Sequence, residues 1–202
     1  MDTLQKLFGS VARVRLLRLF LMNPENIFDT EDIALRSKIT KETLRKEIKL
    51  LLDIEFLKDR KYLKLIPAKG GKFTKKSRDG YALHPKFPYI TALRALLTEI
   101  SVGREDVAMR FKNVGNVKLI VVAGVFIDEA DSRVDILVVG DKLNKTGIQN
   151  ALRHIEAEIG KELTYAVMDT PEFEYRYGIY DKFIRDILDY PHLVVQNRLS
   201  LF

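Results

Sequence analysis

FDTEDIALRSKITKETLRKEIKLLLDIEFLKDRKYLKLIPAKGGKFTKKSRDGYALH, residues 28–84, is the stretch from which the rest of the chain is read. Asp29 or Thr30 opens a short helix through Ile33, Ala34 and Leu35, and Ser37, Lys38 and Ile39 make a turn. Thr40 then caps a second helix, with Glu42 against the positive end of its dipole. Leu44, Ile48, Leu51 and Leu52 form the apolar stripe of that helix. At 100° per residue this leaves Lys41, Arg45, Lys46 and Lys49 on the flank or the opposite face. Strand-like runs at Tyr62–Ile66 and Tyr81–Leu83 enclose PAKGGKFTKKSRDG. There the Gly70-Gly71 pair, and the lack of large apolar residues other than Phe73, predict a mobile hairpin tip.

Helix, turn, helix, strand, basic loop, strand is the order of a winged helix-turn-helix. A basic outer helix face followed by a basic loop is the pairing needed to grip a DNA groove together with its flanking phosphates. The candidate DNA-contacting residues are Thr40, Lys41, Thr43, Arg45, Lys46 and Lys49 on the helix, and Lys69, Lys72, Lys75, Lys76 and Arg78 in the wing. Double-stranded DNA is the expected partner.

Charge separates the two ends of the chain. Residues 1–88 hold 20 Lys and Arg against 11 Asp and Glu, whereas the remainder holds 14 against 17, which together give the net +6 of the 202 residues. The basic half suits a polyanion and the acidic half does not. Cysteine is absent, which excludes disulfides and thiolate metal sites and makes a cytoplasmic location the simplest expectation. The apolar start is interrupted by Arg13, Arg15 and Arg18 and lacks a small-residue cleavage site, so it does not read as a signal peptide. No later segment is long and apolar enough to predict a membrane span.

Working outward, Ser10 caps a helix with Val11, Val14, Leu17 and Leu21 on one side, ended before Pro24. After Pro85 and Pro88, a stripe of Ile90, Leu93, Leu96, Leu97 and Ile100 reads as a connecting helix with no partner of its own, and on that basis a homodimer is expected. A second helical piece spans Asp106–Phe111. The apolar runs Lys118–Phe126 and Val134–Val139 predict strands of a covered sheet. A helix over Thr146–Ile159, a strand over Leu163–Met168, a polar aromatic segment PEFEYRYGIY and a helix over Asp181–Leu188 complete the chain. The fold class expected is α+β, with a winged helix-turn-helix at 1–86, a helical connector at 87–116 and a small α/β domain at 117–202.

On these residues the first part resembles the winged-helix regulators of the arsenical-resistance-repressor type. That resemblance implies that the helix from Thr40 to Ile54 enters the major groove while the wing touches adjacent backbone. It does not imply metal sensing, since the cysteines some members use are missing here. The second part, through AGVFIDEADSRVDILVVGD, resembles the minimal nucleotidyltransferase fold. In that family a Gly-Ser turn holds triphosphate and a strand bearing Ser-Asp-x-Asp holds magnesium. Here Gly124 stands at the serine position, Ser132 keeps the motif's serine, and Arg133 replaces the first aspartate, leaving Asp135. A guanidinium sharing a strand face with a lone carboxylate repels Mg²⁺ and is placed to pair with Asp135. Asp128 and Asp131 are candidate substitute carboxylates, but both fall in the loop and not at the paired strand position.

The expected function is therefore transcription regulation by a non-enzyme. Its Gly124, Ser132, Arg133 and Asp135 site is vestigial, with no catalytic residue, metal or cofactor, and at most weak, metal-independent binding of a nucleotide or phosphate. The alternative is an active metal-dependent nucleotidyltransferase tethered to DNA. A third reading, contact with RNA, rests on Phe73 and Tyr62 as stacking residues. His84, His154 and His192 are isolated from one another in sequence and read as structural. Phe173, Tyr175, Tyr177, Tyr180 and Phe183 read as core or interface, or as the lining of a ligand pocket. Asp181 is expected to pair with Arg185 along its helix.

Overall fold

The computed structural model describes residues 3–67, 71–98, 104–129 and 131–199 of the chain. Their architecture is mixed α+β with two small sheets. Packing divides the chain into two compact units: Met1–Glu99 with Ala157–Lys161, and Ile100–Glu156 with Glu162–Phe202.

In the first unit, α1 (Thr3–Leu7) leads into α2 (Val11–Met22), whose first turn is capped by Ser10, the side chain accepting a hydrogen bond from the Arg13 N–H at 3.1 Å. Helix α2 is apolar around most of its circumference, and accordingly Val14, Leu16, Leu17, Leu19, Phe20 and Leu21 are all buried. This helix is the centre of the core rather than one of its walls. Against it lie α3 (Thr30–Ser37) and α4 (Lys41–Asp53). The turn between those two helices passes through Lys38 in the left-handed region, φ 54°. Ile33, Leu44, Ile48 and Leu51 face inward as their spacing predicts. The α4 stripe also includes Glu47, 8% exposed, which periodicity of apolar residues alone does not reveal. Its carboxylate accepts from Ser10 Oγ at 2.6 Å and pairs with Arg13 Nε at 2.9 Å, fastening α4 to the start of α2.

Strands β1 (Leu57–Pro67) and β2 (Phe73–Leu83) form an antiparallel ribbon in continuous register from Leu57↔Leu83 to Pro67↔Phe73. This corrects the expected mobile tip over Phe73–Gly80, which belong to β2, as Pro67 does to β1, while residues 68–70 lie outside the described residues. The alternation is hidden in the sequence because lysines occupy both faces. Gly80, at the end of that segment, is a buried strand residue. A Cβ there would lie about 3 Å from the Ile27 and Tyr62 side chains and the Phe28 carbonyl, so a larger residue would force these neighbours to shift. Phe28 in turn bridges to Tyr81 and adds a short third partner to the ribbon.

Helix α5 (Ile90–Thr98) packs on α2, with Leu97 buried, Ile90 and Leu93 against the same core, and the Arg18 guanidinium donating to the Leu97 carbonyl at 2.9 Å. The stripe from which a homodimer was expected thus has a partner within its own unit, and that basis for a dimer is removed. Leu96 is exposed, and Ile100 lies outside the described residues.

The second unit begins with α6 (Arg104–Arg110), followed by β3 (Asn116–Val122), β4 (Ile136–Asp141), α7 (Lys145–Ile159), β5 (Tyr165–Met168), α8 (Thr170–Gly178), α9 (Lys182–Leu188) and β6 (Leu193–Asn197). The sheet order is β5-β4-β3-β6, with β4 parallel to β5 and β3 antiparallel to both its neighbours. One face, Leu119, Val121, Leu137 and Val139, packs with Phe173, Ile184 and Ile187. On the other, Ile120, Ile136 and Val138 are equally buried, which explains unbroken apolar runs in place of alternation. Two elements depart from expectation. PEFEYRYGIY is largely the helix α8, capped by Asp169 accepting from the Glu172 N–H at 2.8 Å, and β6 has its partner β3 some 75 residues earlier, beyond any local pattern. Among the described residues no helix is long and apolar enough to cross a membrane.

The buried Glu47 link generates a stability prediction. Glu47→Ala leaves Arg13 and Ser10 without their acceptor and is expected to cost about 1–3 kcal/mol in urea unfolding. Glu42→Ala, which removes an exposed i to i+4 pair with Lys46, should change stability by less than about 0.5 kcal/mol. Equal effects would show that the Glu47 contacts contribute no more than a surface pair.

Candidate nucleic-acid interface

On α4, Thr40 caps the helix through Oγ1, 3.5 Å from the Thr43 nitrogen, and Thr43 is exposed beside it. Lys41, Arg45 and Lys49 recur every four residues along one exposed stripe, and none has an ion-pair partner among the described residues. Lys46 differs: its ammonium is 3.0 Å from Glu42, both side chains being fully in solvent. The outer face of α4 is therefore a stripe of three free cations beside one paired one.

The ribbon continues that charge. Between Arg60 and Arg78 the sequence contains no acidic residue. Lys72, Lys75 and Lys76 are exposed, Arg78 is half-buried opposite Tyr62, and Lys69 lies outside the described residues. Because directly opposed residues share a face, Lys76 stands across from Lys64 and Lys75 across from Leu65.

Two lysines opposed in a ribbon repel, and the first unit resolves this with acid from α3. Lys64 Nζ lies 2.7 Å from Asp29 Oδ2 and 2.7 Å from Asp32 Oδ2, while Tyr62 Oη donates to the same two carboxylates at 3.3 and 3.4 Å. Asp29 is also the N-cap of α3, accepting the Asp32 N–H at 2.9 Å. Burial pushes the Asp29 carboxyl up, but hydrogen bonds from Lys64 and from the Asp32 N–H outweigh it and hold the group below the ordinary carboxylate value. Burial likewise works against the Lys64 ammonium, and the two carboxylates reverse the balance, raising its pKa above that of an ordinary lysine. Sequence reasoning missed this cluster, because nothing in the spacing joins residue 29 to residue 64.

In the second unit the four residues of the expected vestigial site divide into two groups. Gly124, in a 3-10 turn (Gly124–Phe126), donates its N–H to Ser132 Oγ at 2.9 Å. The Asp135 carboxylate accepts from the Val125 N–H at 2.8 Å through one oxygen and from the Thr164 N–H at 2.8 Å through the other. Arg133 turns away and approaches Asp186 at 3.7 Å, correcting the expected Arg133–Asp135 pair. Both residues precede β4, so the strand alternation that was to place them on one face does not apply. Gly124 adopts φ +53°, and a Cβ there would sit 2.2 Å from Asp135 Oδ1. With the Asp135 carboxylate in this position only glycine fits at 124, and a serine there does not.

No group of three or more His, Asp or Glu side chains placed to hold a metal occurs among the described residues, Asp128 and Asp131 included. A hollow of about 390 Å³ in this unit is lined by Phe111, Lys112, Gly115, Gln196 and Arg198, among others, and by none of residues 124–135. Of the aromatics, Phe173 is core with Tyr177 stacked on it, whereas Tyr175 and Tyr180 are exposed, the latter under the Arg185 guanidinium. Arg185 pairs with Asp189 at 2.7 Å, while Asp181 caps α9, so the expected Asp181–Arg185 pair is replaced. No protein-family model matches the chain, and no curated protein matches it.

The two carboxylate clusters can each be tested by removing one partner. Lys64→Met should lower unfolding free energy by about 1–3 kcal/mol at neutral pH, because Asp29 keeps its burial and loses its counter-charge. The Asp29 contribution is present above its ordinary value of 3.8 and fades as pH falls through the lower folded value. The Lys64 contribution is complete below 10.5 and fades as pH rises through the higher folded value. The difference between wild type and Lys64→Met should therefore stay flat from about pH 5 to about pH 10 and shrink outside that window. A difference that varied across the middle of the range would contradict the assignment. For the Asp135 turn, Asp135→Ala should cost roughly 1.5–3 kcal/mol by thermal or urea unfolding without any added nucleotide or metal. An unaltered midpoint would mean that the carboxylate is not structural.

Proposed function

We propose that the chain is a DNA-binding transcriptional regulator, its first unit a winged helix-turn-helix and its second a nucleotidyltransferase-like domain that works without nucleotide transfer, in sensing or partner binding. The observation that carries this reading is the unpaired stripe of Lys41, Arg45 and Lys49 on a capped, well-anchored helix, followed by a ribbon whose distal part is basic throughout. A helix of that kind supplies side chains to base edges, and the ribbon lysines supply charge for phosphates. The occupation of both Asp135 oxygens by backbone N–H groups supports a structural role for that carboxylate over metal binding.

The test is a fluorescence-anisotropy titration of the full chain on duplex DNA at several salt concentrations, together with selection of preferred sequences from a randomised duplex pool. Changing Lys72, Lys75 and Lys76 together to Gln should weaken binding to all sequences and flatten the salt dependence, by up to about 0.9 log unit of slope for each phosphate no longer neutralised. Arg45→Ala should instead alter the selected sequence, at a cost of about 1–3 kcal/mol of discrimination at one position. If neither variant differs from the unaltered protein, the regulator reading is wrong.

A further inference from the structure

One face of the ribbon is out of character with the rest of the basic unit. Leu63, Leu65 and Phe73 are 65, 59 and 67% exposed. The register places them together: Leu63 opposes Ser77, Leu65 opposes Lys75, and Phe73 opposes Pro67, all on one side. The reverse side carries Tyr62 and Lys64, which Asp29 and Asp32 hold against α3. The apolar face is therefore turned out by the same contacts that fix the ribbon. Such a face on a strand pair is a liability for self-association unless it has a use.

Charge decides what fits it. Around Leu65 and Phe73 the exposed cations are Lys75, directly opposite Leu65, and Lys72, next to Phe73, with Lys76 on the edge of the reverse side; the nearest acid on this face, Asp79, lies toward the base of the ribbon opposite Lys61. A second copy of the ribbon would bring these lysines against their like. The occupant must be polyanionic at its rim and apolar within, which describes the minor groove of duplex DNA, where apolar side chains enter between base pairs while cations hold the phosphates on either side.

Resting on the regulator reading above, we propose that the Leu65–Phe73 face of the ribbon unstacks a base step through the minor groove and bends the DNA. The aromatic ring of Phe73 takes the place of a stacked neighbour, and the lysines beside it neutralise the phosphates that the bend brings closer. The step that yields is a pyrimidine–purine step, TA or CA, because these unstack most easily.

The experiment uses the full chain and a duplex recovered from the randomised pool, carrying a fluorescent dye at each end to report end-to-end distance. The unaltered protein should shorten that distance on binding. Phe73→Ala, at an exposed position where loss of the ring does not disturb the core, should weaken binding about tenfold. It should abolish most of the shortening and leave the salt dependence unchanged, since an apolar side chain releases no counterion. The triple lysine-to-Gln variant should show the reverse: a flatter salt dependence with the bend retained in the complex formed at low salt. If Phe73→Ala and Leu65→Ala bind and bend the duplex as the unaltered protein does, the unstacking proposal falls while the regulator reading stands. If the pool yields no duplex and no binding is seen, the regulator reading falls and takes this proposal with it. Vesicles of phosphatidylcholine and phosphatidylserine provide the other arm: binding to them that Phe73→Ala removes, with duplex binding untouched, would assign the face to a membrane surface and overturn the proposal.

Discussion

A single ammonium, Lys64, held between Asp29 and Asp32, sets the geometry on which the first unit depends. Asp29 starts α3, and α3 with α4 forms the helical pair whose outer stripe is basic. The same carboxylate, through Lys64 and Tyr62, fixes the inner face of the ribbon. One buried charge thus determines both where a helix begins and which way eleven paired residues of strand present themselves. An isolated two-stranded ribbon is marginal in water, and this one gains its definition from the helix it is fastened to.

Acid and base are used differently on the two sides of that unit. Inside, Glu47 with Arg13 and Asp29 with Lys64 are partnered groups whose removal leaves a buried charge exposed to the full desolvation cost. Outside, Lys41, Arg45, Lys49, Lys72, Lys75 and Lys76 have no ion-pair partner among the described residues. The net positive balance of the amino-terminal half is therefore not spread evenly. Its buried acids, Asp29 and Glu47, are consumed in holding the fold, while the cations of α4 and of the distal ribbon stay on the surface.

In the second unit a carboxylate is engaged by backbone in place of a charged partner. Asp135 lies just before β4, and its oxygens accept from the Val125 and Thr164 N–H groups, joining the turn after β3 to the start of β5. Gly124 makes room for it, and Arg133 is engaged elsewhere with Asp186. A carboxylate that receives two backbone N–H bonds is satisfied without a cation.

By itself the sequence determined most of the helices, though not α8, and the buried strands β3 and β4, because hydrophobic period and capping residues are local properties. Ser10, Asp29 and Thr40 cap the helices they were expected to cap, and Leu44, Ile48 and Leu51 face the core. It also revealed the charge division and the basic face of α4. Tertiary structure alone decided the rest. The pairing of Phe73–Gly80 with β1, the partner of the α5 stripe, the strand β6, the Lys64 cluster and the company kept by Asp135 all join residues apart in the chain. Local pattern carries no information about which of many lysines meets which carboxylate, since that choice is made by packing and by the cost of leaving a buried charge alone.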